Sequence, residues 1–166
     1  MTHLLLEVIQ FLWLPIVLNG TFNIFYELKR RFYFLHYDQP FDGGYPFFDG
    51  WRILGESTTW GGLIIALIVG LTVQILLPSQ FGLLKAMTTY FGHALGSFIK
   101  RRLKLPRGTY VPVIDHGDYV ILTGATLYFF HLEKLSVILL GLILVLLFQP
   151  LVCYTSYKIG WRDNPL

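Results

Sequence analysis

Two stretches of this chain leave little choice of environment. Residues 61–77 read GGLIIALIVGLTVQILL and residues 136–157 read SVILLGLILVLLFQPLVCYTSY, with no charged side chain in either. The hydrocarbon core of a bilayer takes about 20 apolar residues per helix. Lipid offers the backbone no hydrogen-bonding partner, so a spanning segment must satisfy its own N–H and C=O groups as a helix. Three weaker runs share this character. Residues 4–26 are interrupted by Pro15, Asn19 and Asn23; 81–99 contain Lys85 and His93; 118–132 are short. Composition agrees, with 54% hydrophobic and 14% charged residues, where soluble domains carry about a quarter charged. The chain is therefore expected to be all-α, one transmembrane domain over 1–166. Its five helices would cover about 4–26, 61–77, 81–99, 118–132 and 136–157.

The cations give this bundle a direction, because Lys and Arg collect on the cytoplasmic side. Lys29, Arg30, Arg31 and Arg52 fall in the connector 27–60. Lys100, Arg101, Arg102, Lys104 and Arg107 fall in 100–117, and Lys158 and Arg162 follow the last run. That leaves only Lys85 and Lys134 of the thirteen basic residues toward the other face. The expected topology has the amino terminus outside, the carboxyl terminus inside and two long cytoplasmic loops. The first residues lack a basic leader and a small-residue cleavage site, so they read as a retained span. Cys153 is the single cysteine, which excludes an internal disulfide. Acids share the cytoplasmic side: Glu27, Asp38, Asp42, Asp49, Glu56, Asp115, Asp118 and Asp163. Mixed charge on one face suits a polyanion with a metal better than anchoring alone, which needs cations only. Eight aromatic residues within 32–48 place that loop in the headgroup layer.

Five sets of residues carry chemistry, and each has a plainer reading. Asp115 and Asp118 lie three apart, so on one helix they share a face. They are either a capping group at a helix start or a pair of oxygen ligands for Mg²⁺. Lys100-Arg101-Arg102 is either an anchor to anionic headgroups or a grip on phosphate, for which the planar fork of Arg is suited. Gly92 and Gly96 form a GxxxG element for close helix packing; His93 inside it is a core residue or a ligand. Asp49, Arg52, Thr58, Thr59 and Trp60 fit a polar pocket, although Trp60 alone would serve as an interfacial anchor. Asn19 either bonds across helices or reaches a ligand. No nucleophile elbow, P-loop, dinucleotide fingerprint or Cys/His metal spacing is present, and no nucleic-acid reading module.

In this order and at these intervals, "LPIVLNG", "FFDGWRILGESTTWGG", "GHALGSFIKRRLKLPRG" and "DHGD" resemble the archaeal CDP-archaeol synthases. These integral membrane cytidylyltransferases are similar in their carboxyl-terminal half to bacterial CDP-diacylglycerol synthases. The resemblance covers nearly the whole chain; its specific part is Gly-x-x-x-x-Ser-Phe-x-Lys-Arg-Arg followed by Asp-x-x-Asp. It implies transfer of CMP from CTP to an unsaturated dialkylglycerol phosphate, with Mg²⁺, on the cytoplasmic face of the cell membrane. By the same resemblance Asp115 and Asp118 would bind metal, Lys100, Arg101 and Arg102 would bind phosphate, and Ser97 would supply the motif's hydroxyl. Asn19, Asp49, Arg52, Thr59 and Trp60 would meet the nucleotide or the lipid head. The family motif has Asp after its first Gly, where this sequence has His93, a third and irregular metal-ligand candidate. Two other readings remain open. A CDP-alcohol phosphotransferase shares the ion and the ligands, but only Asp49-Gly50 of its signature is here. A small membrane assembly or transport protein would use the charges for topology alone.

Overall fold

A computed structural model describes residues 2–32, 38–105 and 109–160; Arg107, Arg162 and Asp163, and part of the aromatic loop, lie outside them. Five helices follow one another: α1 (Thr2–Arg31), α2 (Trp60–Leu76), α3 (Gly82–Arg102), α4 (Pro112–Phe129) and α5 (Leu135–Lys158). A single 3-10 turn, Pro78–Gln80, separates α2 from α3. Among the described residues there is no strand, only isolated bridges pairing Pro40 with Thr59 and Pro46 with Arg52. The chain is thus all-helical, and two helices, α1 and α5, are long and apolar enough to cross a membrane. At 1.5 Å per residue, the 30 residues of α1 reach about 45 Å and the 17 of α2 about 26 Å.

The helix starts are written in local chemistry. Thr59 caps α2, its hydroxyl accepting the Gly62 N–H at 3.2 Å. Asp38 Oδ1 takes the next free donor, the Gly61 N–H, at 2.8 Å. Proline opens α4 at Pro112, where its missing N–H is no loss and its fixed φ suits the helix. Consequently α4 begins six residues before the apolar run that marks it in the sequence. Asp115 and Asp118 both sit within the helix, and Val111 is the cap residue rather than Asp115.

The outward faces are more apolar than those of a soluble protein, and several polar side chains lie inside. Asn19, Thr58, Thr59, Lys85, Thr89, His116 and Thr123 are buried, whereas Ile64, Ile68 and Ile75 of α2 and Ile143, Leu147 and Leu151 of α5 point outward. Apolar packing joins Val8, Phe11 and Leu12 of α1 to α4 and α5. A second group joins Leu14, Leu18 and Phe22 of α1 to Ala66, Ala86 and Tyr90 of α2 and α3. Between α3 and α4, Thr88 Oγ1 donates to Thr123 Oγ1 at 3.0 Å. A close backbone approach also lies between these two helices. A Cβ on Gly92 would lie 2.6 Å from the Tyr119 Cα, and one on Gly96 would overlap the Asp118 carboxylate. Small residues allow this approach, and it brings the GHALG segment against the second aspartate.

Long-range bonds fix which ends lie together. Arg31 Nη2 donates to the Gly160 carbonyl at 3.1 Å, joining the end of α1 to the residue region just after α5. At the opposite end Lys134 Nζ meets Glu7 Oε1 at 2.6 Å, joining the start of α1 to the α4–α5 turn.

Candidate active site

Three consecutive basic residues close α3, and consecutive helical positions are about 100° apart, so they serve three directions. Lys100 Nζ crosses to α4 and meets Asp115 Oδ1 at 2.5 Å. Arg101 Nη1 turns back to the Leu105 carbonyl at 2.6 Å, closing the end of its own helix. Arg102 reaches the loop before α2. Its Nη1 meets Asp49 Oδ1 at 3.0 Å and its Nη2 donates to the Arg52 carbonyl at 2.5 Å. Its guanidinium stands 4.4 Å from the Phe47 ring centre and 5.0 Å from that of Phe98. The run is therefore no single patch: one cation faces the aspartates, one closes a helix and one clamps a loop.

Asp115 has both oxygens engaged, since Oδ2 also accepts the Val111 N–H at 2.6 Å. Asp118 differs. Its Oδ1 accepts the Tyr119 N–H at 2.7 Å, while Oδ2 faces His93 Nδ1 at 3.8 Å. Only 9% of the Asp118 side chain is exposed. His93, Lys100, Asp115 and Asp118 thus form one charged cluster where α3 crosses α4. Among the described residues no group of three or more His, Cys, Asp or Glu side chains is arranged as a complete metal cage. Mg²⁺ does not require one, because it is commonly held by one or two carboxylates with substrate phosphates and water. An enclosed carboxylate oxygen on Asp118 fits that role.

Beside the cluster stands the loop 38–60, built around Asp42. Asp42 Oδ1 accepts the Gly44 N–H at 2.9 Å and Arg52 Nη2 at 3.1 Å, and Oδ2 accepts the Leu54 N–H at 2.8 Å. Burial pushes this carboxyl up, but the Gly44 and Leu54 N–H groups and the Arg52 guanidinium outweigh it and hold the pKa below the ordinary aspartate value. Arg52 also approaches Glu56 at 3.5 Å. Gly43 and Gly44 have φ of 60° and 79°, the left-handed region where glycine costs least. The far end of the loop is tied down as well, Lys29 Nζ donating to the Asp38 carbonyl at 2.5 Å. Sequence reasoning counted Asp42 and Asp38 only among the cytoplasmic acids and gave them no place in the site; the Asp-Gly-Gly turn signal at 42–44 could have identified the first.

The other residues singled out by sequence fall around this frame. The Ser97 hydroxyl backs onto the loop, 3.4 Å from where a Gly55 Cβ would be. The Thr59 carbonyl accepts Tyr90 OH at 2.8 Å, tying α2's start to α3. Trp60 is half exposed and packs on Phe41 with ring centres 4.7 Å apart. Asn19 is buried one level deeper, its carbonyl accepting Asn23 Nδ2 at 2.8 Å. Asp49, Arg52, Ser97 and Arg102 are therefore brought together, and His93, Lys100, Asp115 and Asp118 together. Thr59, Trp60 and Asn19 stand apart from both groups.

Comparison with known proteins bears on what this arrangement is for. The family model described as CarS-like, CDP-archaeol synthase, matches residues 78–166, the part that carries the whole α3–α4 cluster. The CDP-archaeol synthase of Thermococcus gammatolerans is 35% identical over a match covering 76% of this chain and 82% of the relative. That of Pyrococcus horikoshii is 37% identical with the same two coverages. The chain belongs to the CDP-archaeol synthase family. A relative of the same description from Saccharolobus islandicus is 38% identical over 57% of this chain and 60% of its own length. The fold is shared with a solved structure described as structural insight into an intramembrane enzyme for archaeal membrane lipids biosynthesis. That match has a TM-score of 0.68 and 23% identity, over 87% of this chain and 90% of the other.

Proposed function

We propose that this protein is a membrane cytidylyltransferase that transfers CMP from CTP to a dialkylglycerol phosphate, giving a CDP-activated ether lipid and pyrophosphate. A lipid phosphate oxygen attacks the α-phosphorus of CTP; a new P–O–P bond forms as the bond between the α- and β-phosphates breaks. The observation that carries this reading is the α3–α4 cluster, which sets a cation and an enclosed carboxylate side by side within the stretch matched to the family. Two polyanions must meet, and fixed charges aimed at the reacting phosphates lower the barrier most effectively in a water-poor site.

Each residue has a role in this scheme. Lys100, held by Asp115, presents its remaining N–H groups to phosphate, while Arg102 stiffens the loop that walls the site. Asp42 and Arg52 fix that loop's shape, and Ser97 supports it from α3. Asp118, with Asp115 beside it, would hold a divalent cation such as Mg²⁺, which neutralises charge between the phosphates. Trp60, Thr59 and Asn19 would line the approach of the nucleotide or the lipid head. All five helices would cross the bilayer, with the amino terminus outside and the carboxyl terminus inside, and the cluster would open to the cytoplasm. In support, the basic ends of α1 and α5 lie together, and Lys134 lies at the other end. The whole of 1–166 would act as one domain of the cell membrane, with CTP and the lipid as its partners.

The deciding experiment incubates purified protein with CTP, a dialkylglycerol phosphate and Mg²⁺ in lipid vesicles. Pyrophosphate release coupled to CDP-lipid formation is expected. CMP release from a CDP-lipid, or no turnover, would overturn the assignment.

A further inference from the structure

Lys85 of α3 is 4% exposed, and among the described residues no carboxylate pairs with it. An ammonium has three N–H groups; here one donates to the Gln10 carbonyl of α1 at 2.7 Å, and the others find no acceptor among the described residues. Buried charges are ordinarily paired. Lys85 lines a cavity of about 430 Å³, within the range of small-molecule sites, about 300–1,000 Å³. The cavity lies where Lys134 meets Glu7, about 22 Å along α3 from Lys100. Glu133 lines it too. Its carboxylate accepts the Lys134 N–H at 3.1 Å, has no cation in contact among the described residues, and exerts the attractive field that reaches Lys85. A cation and an anion thus border one space, neither neutralised by contact. Phe81 and His131, with φ of 51° and 56°, also line it; such costly conformations gather where ligands are clamped.

We infer that this cavity is a second lipid site, separate from the transferase centre, for a headgroup that carries both a phosphate and an ammonium. Lys85 takes the phosphate and Glu133 the ammonium. Charge decides the class: a purely anionic head would set like charge against Glu133, and a simple cation would leave Lys85 unmatched. The surroundings decide the source. Tyr128, Phe129 and Phe130 are exposed at this end, and aromatic rings collect at headgroup depth. Leu132 continues the cavity wall to the apolar surface, along which lipid chains would run. The bound lipid would tie α1, α3 and the α4–α5 turn together at the end remote from the reaction.

The test incubates full-length protein in detergent micelles with equal amounts of a dialkyl glycerophosphoethanolamine and a dialkyl glycerophosphoglycerol. Lipid that co-elutes with the protein on gel filtration is then measured by mass spectrometry. The ethanolamine lipid should be retained about tenfold over the glycerol lipid, the worth of one charge-assisted hydrogen bond. Glu133→Gln should erase that preference, and Lys85→Met should release both lipids, with helicity unchanged in each. Lys100→Met, altered at the transferase centre, should retain lipid as the wild type does; loss there would assign the lipid to the substrate position and overturn the inference. Equal retention of the two lipids by the wild type, or an unchanged preference in Glu133→Gln, would also overturn it. So would displacement of the lipid by equimolar O-phosphoethanolamine, which would make the occupant a soluble ion. Where Lys85→Met does not fold, Glu133→Gln alone decides.

Discussion

Substituting alanine for Gly92 should slow catalysis without unfolding the protein. The added methyl would sit 2.6 Å from the Tyr119 Cα and 2.9 Å from the Asp118 carbonyl oxygen. Both obstacles are backbone, so no rotamer change relieves them. Carbon atoms pack comfortably at about 3.5 Å, which requires α3 and α4 to part by about 0.9 Å at the point where they hold His93, Lys100, Asp115 and Asp118. Misplacement of a reacting geometry by about 1 Å costs roughly a hundredfold in rate, equal to about 2.7 kcal/mol of barrier. Cytidylyl transfer measured as pyrophosphate release in proteoliposomes, alongside helicity and gel-filtration profile, would show a fall of this order in a folded protein. Gly20→Ala is the control: nothing lies within 4 Å of its added methyl, and alanine is the better helix former, so activity should hold. A Gly92→Ala enzyme as fast as the control would refute the claim that this crossing sets the site.

Lys100→Met removes the cation facing Asp115 and should lower kcat by about 10²–10³, with the protein still inserted; a wild-type rate would confine Lys100 to a structural ion pair. Arg102→Lys loses the fork that spans Asp49 and the Arg52 carbonyl, and should expose the 38–60 loop to limited proteolysis while Lys29→Met loosens only its first end. Asp42 has a folded pKa below its ordinary value, so its contribution is present above the unfolded pKa of about 4 and is lost as pH falls through the lower, folded value. Loop proteolysis should therefore increase in acid, and Asp42→Asn should be equally susceptible at neutral pH and insensitive to that drop.

Much of the helix order was legible because lipid admits few alternatives: the apolar runs mark α2 and α5 to within a residue or two. The start of α4 was not, because Asp115, His116 and Asp118 interrupt the apolar run just after Val113 and Ile114; the Pro112 start signal carried that information instead. The residues of the α3–α4 cluster were legible as types, through the Lys100 and Asp-x-x-Asp spacing. Their pairing was not. Whether a carboxylate is committed or free depends on which neighbour crosses over, and only the packing separates Asp115, held by Lys100, from Asp118, facing His93. Likewise a run of three cations gives no hint that one of them, Arg102, rests against the edge-to-face pair Phe47 and Phe98. The loop around Asp42 was the least legible part, since its order comes from side-chain bonds to backbone donors that leave no periodic trace.

The pairing of Lys100 with Asp115 spans fifteen residues of chain, and His93 and Asp118 come from the same two helices. The candidate site is thus a local hairpin with little loop-closure entropy to overcome. In the proposed topology, with amino-terminal parts emerging first during synthesis, these charges would neutralise one another as α4 inserts, before α5 is complete. Neighbours on the chain thereby shelter each other at the moment when isolated ions in lipid would be most costly.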